Sequence, residues 1–208
     1  AGDTINVGAG SGTWSTTLKI TKGLNIIGAG AGSTIITVGG VAGFQYLPAN
    51  PSLNEVFRFS GFRLELGNAH AAYYLLNRSS HRQTKIRVDH NYFNNAVYAN
   101  PSTVCGQVFG VIDHNTFVGY HHTDNYGAGF CDDVDGNGIA WTDNGCSSNG
   151  GACEWTLLSP ASEVGTVNNL YVENNTFYQS DTIFSGGAGG RWAFRYNTVY
   201  ASKLSGQN

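Results

Sequence analysis

Apolar and polar residues alternate in short runs along most of this chain, and one run recurs. It reads Val88-Asp89-His90-Asn91-Tyr92-Phe93, then Ile112-Asp113-His114-Asn115-Thr116-Phe117, then Val172-Glu173-Asn174-Asn175-Thr176-Phe177. A looser copy is Phe194-Arg195-Tyr196-Asn197-Thr198-Val199. The shared asparagines stand 24 residues apart at 91 and 115, and 22 apart at 175 and 197. The gap of 60 between 115 and 175 fits two or three such steps with added material. Each run is too short for a helix, and its alternation predicts a strand that enters a turn at the Asn. Asn tolerates the left-handed backbone region and bonds locally, so it is expected to form the sharp corner itself. A fixed period near this length marks a solenoid, whose repeats bury their apolar faces only by stacking on their neighbours.

The rest of the chain fits the same frame. Short strands are predicted at Thr4–Val7, Thr17–Ile20, Leu24–Ile27 and Thr34–Thr37. Gly28-Ala29-Gly30-Ala31-Gly32 looks like a phosphate loop, but a β-branched segment follows it instead of a helix, so it reads as a corner. Residues 41–55, with Pro48 and Pro51, read as an irregular excursion, and Val56–Leu64 resumes the rung with Ser60 and Gly61 near the Asn place. The segment 119–165 breaks the pattern and is expected to be a loop insertion. Regular rungs return from Val167 to Tyr200. One all-β domain over residues 1–208 is expected, with roughly seven coils of 22–24 residues.

Composition narrows the function classes. Net charge is −3 with only 11 Lys plus Arg among 208 residues, so the basic stripe of a nucleic-acid binder is missing. No apolar run approaches the roughly 18 residues of a membrane span. Cys105, Cys131, Cys146 and Cys153 are even in number, and three of them fall in the Gly/Asn/Ser-rich insertion, which suits two disulfides in an exported protein. Pairing Cys105 with Cys131 and Cys146 with Cys153 is preferred among three possible pairings, and spacing alone leaves the choice open. The start Ala1-Gly2-Asp3 suits a secreted, mature chain or a fragment boundary.

The opening Ala1-Gly2-Asp3-Thr4-Ile5-Asn6-Val7, the Gly-Leu-Asn-Ile-Ile-Gly-Ala-Gly of residues 23–30 and the Asp-His-Asn-x-Phe rungs resemble the right-handed parallel β-helix repeat proteins of the pectate-lyase-like superfamily. The resemblance covers most of the chain outside 119–165 and implies a right-handed parallel β-helix, to which the cysteines add one disulfide-bearing loop insertion at about 119–165. It says little about activity, because that fold serves lyases, hydrolases, spikes, adhesins and fibres. Relatives of this kind tend to be longer and to carry a cap after the last coil. Here the chain stops at Ser205-Gly206-Gln207-Asn208, so uncapped coil ends are expected to meet further copies or another chain.

Candidate chemistry is concentrated in the insertion. Asp133-Val134-Asp135-Gly136-Asn137-Gly138 places oxygen ligands at alternate positions before a tight Gly turn, as the first half of a Ca²⁺ loop does. Asn144 stands where such a loop carries its last ligand, with Asp143 beside it and Asp132 in front; the alternative is a surface turn held by disulfides. His121, His122 and Asp124 read as solvated loop residues, and His90 and His114 as a structural ladder. A β-helix lyase would add a base to Ca²⁺, and Arg191 and Lys85 are the candidates. Asp89, Asp113 and Glu173 align in the repeat and are expected to form an exposed ladder. Trp141 and Tyr126 are candidates for stacking on sugar rings. Together these features favour an extracellular structural or interaction module that stacks end to end and contacts polysaccharide. A Ca²⁺-dependent polysaccharide lyase and a non-catalytic carbohydrate-binding domain are the alternatives.

Overall fold

The recurring phrase turns out to span a corner, with a strand on each side of it. In Thr84–Asp89, Ile86 and Val88 point inward while Arg87 points out; the chain bends at His90; then Tyr92–Asn94 sends Phe93 inward. The computed structural model describes residues 2–38, 44–46, 55–66, 74–76, 84–94, 102–105, 108–118, 139–143, 170–178, 184–186 and 192–200. Every regular element among them is a strand, and all the strand pairings are parallel.

Three sheets run along the stack, each built from every third strand. The first joins β1 (Asp3–Val7), β4 (Leu24–Gly28), β7 (Val56–Ser60), β10 (Thr84–Asp89), β13 (Val108–Asp113), β16 (Leu170–Glu173) and β19 (Trp192–Arg195). The second joins β2 (Gly10–Trp14), β5 (Thr34–Val38), β8 (Arg63–Leu66), β11 (Tyr92–Asn94), β14 (Thr116–Val118), β17 (Thr176–Tyr178) and β20 (Thr198–Tyr200). The third runs β3 (Leu18–Ile20), β6 (Phe44–Tyr46), β9 (Tyr74–Leu76), β12 (Ser102–Cys105), β15 (Ile139–Asp143) and β18 (Phe184–Gly186). This is an all-β, parallel, solenoid-like fold. Two segments expected to be irregular therefore carry strands: β6 lies within 41–55 and β15 within 119–165. Both are short, three and five residues, and their prolines or glycines lie outside the strand, which is why periodicity missed them.

The core is a stack of like on like. Phe93, Phe117 and Phe177 are in register on the second sheet, with centroids 4.8 and 5.0 Å apart and planes within 7°. Across the corner, Phe59, Val88, Ile112 and Val172 form the matching column of the first sheet, all buried. Gly110 sits in register between Ile86 and Leu170 with φ of 123°, and a Cβ there would lie 1.9 Å from the Ile86 carbonyl oxygen. That close approach requires glycine.

The corner itself departs from expectation. The left-handed residue is the one before the Asn: His90, His114, Asn174 and Tyr196 have φ of 57°, 55°, 56° and 57°. Gly61 takes the same place one coil earlier, with φ of 79°. This frees Asn91, Asn115 and Asn175 to turn their amides inward, where they are buried. The Asn91 backbone N–H and Nδ2 both donate to Asn115 Oδ1, at 3.0 Å. Asn115 donates likewise to Asn175 Oδ1 at 2.9 and 3.0 Å, and Asn175 to Asn197 Oδ1 at 2.9 and 3.1 Å. The second Nδ2 hydrogen of each caps a corner carbonyl, such as Val88 O for Asn115 at 2.8 Å. Buried corner groups left open by the bend are thereby paired, as interior polar groups must be.

Asn115→Ala would take the partner from the Asn91 N–H and from one Asn91 Nδ2 hydrogen, and remove the amide donor to the Val88 carbonyl, at once. It should cost about 3 kcal/mol or more, whereas Asn94→Ala at the half-buried strand end should cost under about 1 kcal/mol. Chemical denaturation of the two variants beside the parent chain checks the difference.

Candidate functional site

Outside the same corner runs a charged strip. By alternation Asp89 and Asp113 point away from the core, and an exposed ladder was the expectation, yet both are buried. Their neighbours roof them over. Arg58 Nε donates to Asp89 Oδ1 at 2.8 Å and its Nη2 to Oδ2 at 2.6 Å, while Ser60 Oγ donates to Oδ2 at 2.9 Å. Arg87 is shared, with Nε 3.3 Å from Asp89 Oδ1 and Nη2 3.1 Å from Asp113 Oδ2. His90 Nδ1 lies 2.9 Å from Asp89 Oδ2, and His114 Nδ1 lies 2.8 Å from Asp113 Oδ2. The two imidazoles stack 5.1 Å apart at 3°, the ladder expected from their repeat position.

Register explains both the strip and its break. Arg58, Arg87 and Val111 occupy one outward column, two residues before Ser60, Asp89 and Asp113 respectively. Each arginine reaches the carboxylate of the following coil. At Val111 the supply stops, so Glu173, in register with Asp113, pairs with Arg195 on its other side, Nε to Oε2 at 2.6 Å. Arg195 also lies over the Tyr171 and Tyr196 rings, at 4.7 and 5.6 Å. Asp113 Oδ1, buried, is left without a hydrogen-bond partner.

Burial by itself would raise the Asp89 pKa. The hydrogen bonds from Arg58, His90 and Ser60 and the Arg58 charge outweigh it and hold the carboxyl down at about 2. The Arg58 guanidinium is raised in turn, chiefly by its bond to Asp89. Neither group is poised to exchange a proton near neutrality, so this pair serves as a fixed charge bridge between coils.

The other candidates are scattered or lie beyond view. Lys85 is on β10, partly buried and in register with Val56 and Phe109. Trp141 and Asp143 fall on β15 opposite Thr103 and Cys105 of β12, which brings the Cys105 backbone alongside Asp143 in the third sheet. Arg191, Tyr126, Asp133, Asp135, Asn137, Cys131, Cys146 and Cys153 lie outside the described residues, as do His121, His122 and Asp124. Among the described residues no group of three or more His, Cys, Asp or Glu side chains makes a metal cage. Sequence reasoning passed over Arg58, although Val56-Phe57-Arg58-Phe59-Ser60 and Lys85-Ile86-Arg87-Val88-Asp89 place arginine identically. Comparison with protein families, curated proteins and solved structures found no match.

A folded carboxyl held below its usual value of 3.8 stabilises the fold above that pH and ceases to as pH falls through its own pKa. Stability should therefore decline from about pH 4 toward pH 2, and Asp89→Asn should flatten that acid limb while costing about 2–3 kcal/mol near neutrality. Thermal melts across pH read both effects.

Proposed function

We propose that this chain is a non-catalytic structural or interaction module, a right-handed parallel β-helix of about seven coils built like the pectate-lyase-like proteins. It acts outside the cell by stacking end to end with copies of itself and lying against polysaccharide. Right-handed winding follows the general preference of parallel crossover connections.

The observation that carries the reading is where apolar surface remains open. Among the described residues the exposed large apolar side chains are Ile5, Leu18, Tyr178, Tyr196 and Tyr200. Ile5 and Leu18 stand on the inward columns of β1 and β3 in the first coil, whereas Tyr200 continues the outward column of Tyr178 and Tyr196 sits at the last corner. Ile5 belongs to the inward column of Ile26 and Phe59, both buried, yet is itself 48% exposed. A second copy suits this surface better than a globular partner, because the first described strands, β1–β3, and the last, β18–β20, belong to the same three sheets. Copies stacked in register would continue every sheet, Ile5 of one copy falling over Phe194 of the next. A catalytic reading has less to draw on, since the aligned carboxylates are committed to arginines.

Untagged protein should form rods many times the 22.1 kDa chain mass by light scattering and negative-stain microscopy, and Ile5→Lys should return it to single chains. A parent protein that stays at 22.1 kDa at concentrations of about 100 μM, well above the Kd of a stable contact, overturns the stacking reading.

A further inference from the structure

His90 and His114 each have one ring nitrogen already committed. Because Asp89 and Asp113 accept at Nδ1, the neutral rings carry their proton there and leave the lone pair at Nε2. The side chains are 59% and 52% exposed, so both lone pairs are presented to solvent from the same side of the strip. The rings are held parallel, 5.1 Å apart, on neighbouring coils.

We propose that His90 and His114 bind one divalent d-block cation, such as Cu²⁺, Ni²⁺ or Zn²⁺, through their paired Nε2 atoms. Imidazole is a ligand for these metals and not for the hard cations Ca²⁺ and Mg²⁺, which take oxygen. The anchoring is of the kind metal-bound histidines have: the far nitrogen donates to a carboxylate, which fixes the tautomer and the orientation of the ring. Parallel rings aim their lone pairs side by side, so one ion is shared only at a cis angle with the nitrogens about 3 Å apart, and each stacked ring must swing toward the other by about 1 Å to make two bonds of about 2.0–2.1 Å. Each ring is free to do so on its solvent side while its Nδ1 stays on the carboxylate. Water completes the coordination sphere. Charge does not oppose the ion, since Arg58 and Arg87 are matched by Asp89 and Asp113. The site is confined to this pair because the column continues on either side as Gly61 and as Asn174 and Tyr196, with no further imidazole.

Cu²⁺ titration of the full chain, followed by calorimetry and electron paramagnetic resonance, tests the site. The chain has 6 histidines, so His90→Gln and His114→Gln are compared with a His121→Gln/His122→Gln double variant. The parent and the double variant should bind one Cu²⁺ with a two-nitrogen spectrum, and each single variant should bind about tenfold or more weakly. Unchanged affinity in either single variant, loss in the double variant, or no saturable binding in the parent overturns the proposal. A readout on the unmutated chain guards against misfolded variants: Cu²⁺ should broaden the imidazole NMR signals of His90 and His114 first. Broadening confined to other histidines refutes it.

Discussion

The structure depends on one interaction, the side-chain amide ladder through Asn91, Asn115, Asn175 and Asn197. A parallel solenoid must bend its backbone sharply in every coil, and each bend turns N–H and C=O groups away from sheet partners into the interior. Leaving them unpaired would cost on the order of 1–3 kcal/mol apiece. One Asn per coil accepts from the previous coil, donates twice to the next and caps a carbonyl of the bend. The phenylalanine stack supplies apolar burial, but the register that puts ring on ring is fixed at the adjacent corner.

The charged strip shows how alternation and burial can part company. Alternation puts Asp89 and Asp113 outside the barrel of side chains, and sequence logic equates outside with wet. Here the arginines two residues upstream on the neighbouring strand fold over them and exclude solvent. The pairs link one coil to the next, so they add to the same axial cohesion as the ladder. Charge along the strip is matched until Val111 interrupts it, and the orphaned Asp113 oxygen marks that interruption.

Much of this was legible in the chain. The repeat of apolar, Asn and aromatic positions announced parallel stacking, and the matched histidines announced their own column. What was not legible has physical reasons. A corner carries two special positions, one bent and one buried, and residue preference alone assigns both to Asn. Only geometry shows that His90 bears the left-handed backbone while Asn91 bears the hydrogen bonds. Short strands such as Phe44–Tyr46 hold too few residues to show a period, so the third sheet was nearly invisible. Arg58 lacked any motif, and its role exists only because Asp89 is brought beside it from 31 residues away. The insertion chemistry at Asp133–Asn137 falls on residues outside the described part of the fold.

The amide ladder has a direction. Asn91, Asn115 and Asn175 each give the backbone N–H and one Nδ2 hydrogen toward the C-terminal coil, return the other Nδ2 hydrogen to a carbonyl of the preceding coil, and accept at Oδ1 from the N-terminal side, beginning with the Phe62 N–H that Asn91 accepts. The ladder is therefore polar along its own axis, starting at an Asn91 oxygen already satisfied by Phe62 and ending at Asn197 on the last described coil. A chain added beyond Asn197 in the same direction would extend that polarity, whereas one turned the other way would oppose it.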